Sequence, residues 1–92
     1  MISAHMIDTD TYEVVVEGES ETSHTVHMSS AYYRELCAST ITHEYVLIQS
    51  FKFLLEREPN TSILPSFDLQ DINKYFPEFE SEMKTRFQNH GR

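Results

Sequence analysis

Five histidines, a single cysteine and fifteen carboxylates are the first side chains of this chain to weigh for metal binding or proton transfer. His24 and His27 stand three apart in a segment that alternates like a strand, so they fall on opposite faces and do not share an ion. His43-Glu44 opens like the zinc-protease helix motif, but Leu47 occupies the position of the second histidine. His5 and His90 lie near the two ends. A metal centre is therefore not expected. Cys37 needs a lowered pKa and a neighbouring base to act as a nucleophile. It shares a short apolar helix face with Tyr33 and Leu36, which favours a buried, inert thiol. The two glycines, Gly18 and Gly91, do not open a helix, so no phosphate-cradling loop is present. No catalytic or cofactor-binding residue emerges, and the chain is not expected to be an enzyme.

The carboxylates are informative through their distribution. Residues 1–28 hold six acids, Asp8, Asp10, Glu13, Glu17, Glu19 and Glu21, and no Lys or Arg, a local charge of −6 in a chain of net −8. The remaining acids and bases nearly balance. Such a surface repels nucleic acid and anionic membrane and suits a basic protein partner. The candidate partner-binding residues are Glu13, Glu17, Glu19, Glu21 and His27, with His27 expected to pair across the strands with an acid such as Glu13 for a few tenths of a kcal/mol.

These residues need elements to position them, and a chain of 92 residues allows one domain. The order is a flexible N-terminus over 1–11, a single α+β domain over 12–88 and a flexible C-terminus over 89–92. Tyr12, Val14 and Val16 alternate with Glu13, Val15 and Glu17, a strand pattern. His24 to Met28 alternates again after the polar stretch Gly18–Ser23, giving an antiparallel β-hairpin with a loop longer than two residues. A bundle of about four helices is expected to follow. Ser29 or Ser30 caps the first. Thr42 caps a longer one, with Leu47, Ile48, Phe51, Leu54 and Leu55 as its stripe and Pro59 at its end. Asn60 to Ser66 reads as a connector anchored by Ile63 and Leu64, and Asp68 as a helix start with Leu69, Ile72 and Tyr75 or Phe76 as apolar anchors. In the last helix Phe79, Met83 and Phe87 recur every four residues, with Glu80–Lys84 and Glu82–Arg86 as stabilising pairs. A chain this short leaves a homodimer that shares core open. No apolar run reaches the roughly 18 to 20 residues of a membrane span. Met1–Met6 has neither a basic region nor an apolar core of a signal peptide. Together with the lone cysteine, this gives a cytoplasmic expectation.

Two resemblances add to this reading. From His24 to Arg57 the order of strand, short helix, turn and longer helix resembles the ribbon-helix-helix regulators. That resemblance implies a dimer reading the DNA major groove, and for many members an antitoxin role. The strand here has no Lys or Arg, and the turn Ala38–Ile41 has no Gly. Glu44 stands where a helix N-terminus would meet phosphate. The run Ser50-Phe51-Lys52-Phe53-Leu54-Leu55-Glu56-Arg57-Glu58-Pro59-Asn60-Thr61-Ser62-Ile63-Leu64, with Phe67-Asp68-Leu69 and Tyr75-Phe76-Pro77-Glu78-Phe79-Glu80, is similar to a group of small bacterial proteins without an assigned function. That similarity implies a bacterial cytoplasmic protein and carries no activity or site. The sequence thus favours a non-enzymatic protein-interaction module, with a ribbon-helix-helix-like regulator or antitoxin as the alternative.

Overall fold

A computed structural model describes residues 1–89 of the chain. His90 and the end of the expected C-terminal tail lie outside the described residues, while Asn89 is the last residue of a helix. The chain is α+β. Four strands, β1 (Ile2–Asp8), β2 (Thr11–Val16), β3 (Thr22–His27) and β4 (Ser66–Asp68), form one sheet in the order β1-β2-β3-β4. The first three pair antiparallel, and β4 returns to pair parallel with β3 after two helices have intervened.

The β2–β3 hairpin forms as its alternation predicts. Tyr12, Val14, Val16, His24 and Val26 are all at most 4 % exposed and share the inner face. The N-terminal segment expected to be flexible is instead an edge strand. Ile2, Ala4 and Met6 pair with Val16, Val14 and Tyr12, so a period of two runs through residues 2–6 and places these side chains on the inner face. Its signal is weak because Ile2 and Ala4 are only half-buried and Met6 is exposed.

The helices are α1 (Ser30–Cys37), α2 (His43–Leu55), α3 (Ile72–Tyr75) and α4 (Phe79–Asn89). They do not form a bundle beyond the sheet. A four-stranded apolar face must be covered, and the stripe that looked like bundle core serves that purpose. Leu47, Phe51 and Leu54 are buried, with Phe51 tilted against His24 and Phe67 of the sheet. Ser29 Oγ accepts from Tyr32 N and Thr42 Oγ1 from Tyr45 N, each at 3.1 Å, so both expected caps form. Between α1 and α2 the chain turns through Ala38 and Ser39, both left-handed at φ 52° and 61°.

On its other side α2 meets α4. Phe79, Met83 and Phe87 are buried, with the Phe53 ring 5.2 Å from Phe79 and Ser50 beside the Met83 sulfur. Arg57 closes this layer. Its guanidinium lies 3.6 Å from the Phe53 ring centre, within reach of a cation–π attraction. It also pairs with Glu78 at 3.3 Å. Asp68 is the last residue of β4 and makes no cap; the segment expected to start a helix there begins with a 3-10 turn, Leu69–Asp71. The expected Glu82–Arg86 pair forms at 3.4 Å. Glu80 is drawn elsewhere: it accepts from the Tyr32 hydroxyl at 2.8 Å and from Asn73 at 3.2 Å.

Candidate functional site

The hairpin acids do not form one face. Val16 pairs with Thr22 and Thr11 with His27, so the Glu17–Glu21 loop and His27 sit at opposite ends of β3. At the usual strand rise those ends are roughly 16 Å apart. Glu13 is mid-strand on the outer face. It is not paired with His27: its carboxylate takes His5 Nε2 at 3.2 Å and the Ser23 hydroxyl at 2.9 Å. Pairing of β1 on that side of β2 supplies the partner that the sequence placed on β3. His27 Nδ1 instead meets Thr11 Oγ1 at 3.1 Å, its directly opposite neighbour.

His27 borders a polar hollow of about 330 Å³ with Asp10, Asp68, Ser29, Tyr32 and Gln70. Two of its polar groups, Ser29 and Tyr32, are engaged in holding the fold. Ser29 caps α1, and Tyr32 donates to Glu80 while accepting from Asn73 at 3.0 Å. Burial, and then the Glu80 carboxylate, raise the Tyr32 phenol above its ordinary range, so it is a neutral donor. Among the described residues no three His, Cys, Asp or Glu side chains are placed to hold a metal ion. His43 is stacked on the Tyr33 ring at 3.8 Å, with Tyr12 beyond it at 6.0 Å. Cys37 is buried, its thiol donating to the Tyr33 carbonyl.

The flank of the sheet beside β4 is built differently. A cleft of about 260 Å³ is lined mostly by apolar side chains, among them Leu54, Ile63, Leu64, Phe67, Ile72 and Tyr75. Its walls come from the end of α2, the connector, β4 and α3. Leu64 is 52 % exposed and Tyr75 69 %. Burial within the domain does not account for such an apolar display. Two carboxylates, Glu58 and Asp71, complete the lining. Asp71 is paired with Lys74 at 3.2 Å.

The cleft is tied to the acidic loop by Asn60. Its amide donates to Ser20 O at 2.8 Å and to Thr22 Oγ1 at 2.9 Å. The chain of bonds continues through buried His24. Its Nδ1 contacts the Leu64 carbonyl at 2.8 Å, and its Nε2 lies 2.9 Å from Thr22 Oγ1. A carbonyl only accepts, so Nδ1 must carry a proton. In the neutral ring, Thr22 therefore accepts from Asn60 and donates to His24. The loop that presents Glu17, Glu19 and Glu21 is thus held beside the connector that walls the cleft. Among the described residues these three glutamates have no ion-pair partner. By contrast, Arg57 and Arg86 are taken up by Glu56, Glu78 and Glu82.

Sequence reasoning located the acids of the hairpin loop and missed the cleft. Leu64 and Tyr75 read as anchors of a connector and a helix, and only their exposure distinguishes them. Of the sequence candidates, Glu17, Glu19 and Glu21 lie on the loop that Asn60 ties to the connector, whereas Glu13 and His27 do not join them. β3, the strand of the ribbon-helix-helix resemblance, is flanked by β2 and β4, which occupy both of its edges. No helix among the described residues is long and apolar enough to cross a membrane. Comparison with known proteins gives no matching family model, no matching curated protein and no matching solved structure.

Proposed function

We propose that the protein is a non-enzymatic interaction module that binds a basic segment of a partner protein at the cleft beside β4. One observation carries this reading: the apolar cleft with Leu64 and Tyr75 exposed at its side stands next to a loop bearing three glutamates without ion-pair partners among the described residues. An apolar cleft of this size takes one or two side chains. The glutamates, with Glu58, favour Lys or Arg flanking those anchors and hasten encounter. Glu13 and His27 are not required. The unpaired, buried cysteine supports a reducing, cytoplasmic setting.

The test uses a displayed peptide library selected on the full chain, followed by titration of the selected peptides into isotope-labelled protein. The expected peptides carry Leu, Ile or Phe flanked by Lys or Arg. They shift Ile63, Leu64, Tyr75 and the 17–21 loop, and Leu64→Asp or Tyr75→Asp weakens binding at least tenfold. Selected peptides that shift the His27 hollow instead, or that bind both variants unchanged, would sink the reading.

A further inference from the structure

A separate surface is unaccounted for by the cleft. β1 is an edge strand of seven residues whose outer side meets no other strand among the described residues. Met1 and Glu17 exchange both backbone bonds, at 3.0 Å and 2.8 Å, in the same sheet. Antiparallel pairing alternates from there. Ser3 and His5 therefore aim their backbone groups at β2, and Ile2, Ala4 and Met6 aim theirs away from the sheet. Three donors and three acceptors are left in a row. Natural edges are usually blunted by Lys, Pro or a bulge within the strand. Here there is neither Lys nor Pro, and the one irregularity falls at the end, between Met6 and Asp8.

We infer that this edge pairs with the same edge of a second copy, antiparallel about Ala4, to give a continuous eight-stranded sheet. The pattern is self-complementary in that register. Ala4 lies opposite Ala4 of the second copy, and Ile2 lies opposite its Met6, so apolar side chains meet on the helix side. Ser3 lies opposite the second copy's His5 on the outer side, and no like charges are opposed. Charge selects the same place: residues 1–7 contain no Asp, Glu, Lys or Arg, although they open the acidic segment that runs to residue 28. Two copies of a chain of net −8 meet there at a low electrostatic cost.

The helix layer extends the contact. α2 packs over β1, and its Val46, Ser50 and Phe53 side is turned toward α4. Ile48 and Leu55 are half-buried and lie on the opposite flank of the same helix. They add apolar surface beside the edge, which a dimer needs beyond backbone pairing alone.

Sedimentation of the full chain over a range of micromolar concentrations tests this, with circular dichroism reporting the fold of each variant. The wild type is expected to be a dimer. Ala4→Pro removes an outward N–H at an edge position that tolerates proline, and should give a folded monomer. Met6→Lys, which puts a charge opposite Ile2 of the second copy, should do the same and serves if the proline variant misfolds. Oxidised Ala4→Cys should cross-link to a covalent dimer, because hydrogen-bonded partners stand about 5.5 Å apart between Cα atoms. Ile7→Cys should not, since its two copies would lie roughly 20 Å apart. A monomeric wild type, a dimer that survives both edge variants, or cross-linking at position 7 in preference to 4 overturns the inference. None of these outcomes bears on peptide binding at the cleft, which the edge variants should retain.

Discussion

Ala38 carries a conformation that its side chain disfavours. With φ at 52° it caps α1 in the left-handed region, its N–H returning to the Arg34 carbonyl at 2.7 Å. A residue with a Cβ loses about 1–2 kcal/mol there, and glycine recovers that less about 0.4–1 kcal/mol of unfolded-state freedom. Ala38→Gly is therefore expected to stabilise the chain by about 0.5–1 kcal/mol, read as a higher urea midpoint at unchanged slope. Tyr32 makes the opposite case. Its hydroxyl joins α1 to Glu80 of α4 and Asn73 of α3, so Tyr32→Phe should cost about 1–2 kcal/mol at neutral pH. Burial raises the phenols of Tyr12, Tyr32 and Tyr33 above the ordinary value of 10.0. The folded chain then holds these protons more tightly than the unfolded chain does. Their contribution is full below that ordinary value and is lost as pH rises beyond it. Denaturant titrations on either side of that pH should show a shallower alkaline loss for Tyr32→Phe than for the wild type.

At the scale of elements, the helix pair α2–α4 concentrates the packing. Phe53 is wholly buried and touches Phe76, Phe79 and the Arg57 guanidinium. Phe53→Ala should cost about 3–5 kcal/mol, a large share of a small domain's stability. Glu80 is held by Tyr32 and Asn73, and Lys84 is exposed. Lys84→Ala should therefore change stability by less than about 0.5 kcal/mol. Thermal melts of the two variants separate these outcomes. The same elements show what was legible beforehand. Local signals were sufficient for the caps Ser29 and Thr42, the alternation of β2 and β3, and the Phe79–Met83–Phe87 stripe. β1 and β4 were not legible, because each is ordered by a neighbour. β1 has two half-buried anchors and takes its pairing from β2, and β4 is three residues long after Pro65. Underestimating the sheet in turn made the helices look like a bundle. The cleft has the same origin: Asn60 and Ser20 are 40 positions apart, and no spacing rule connects them.

For the molecule as a whole, the two proposed contacts use surfaces of different electrical character, one acidic and one without acidic or basic side chains beyond His5, and salt distinguishes them. A basic segment at the cleft is drawn by Glu17, Glu19, Glu21 and Glu58, so its affinity should fall as ionic strength rises. The β1 edge brings together two chains of net −8 through a segment, residues 1–7, that contains no Asp, Glu, Lys or Arg. Screening should lower their mutual repulsion and favour association. Association that stabilises the folded state also makes the melting temperature depend on concentration. The expected result is a midpoint that rises with protein concentration in the wild type and rises more steeply with added salt. In Ala4→Pro it should be independent of concentration at every salt level. A wild-type midpoint that does not move with concentration would mean that the edge is not paired at these concentrations. A concentration dependence that weakens with salt would place the contact on charged residues, away from β1. Thermal scans at several protein concentrations, each at low and high salt, decide between these outcomes without needing the identity of the partner at the cleft.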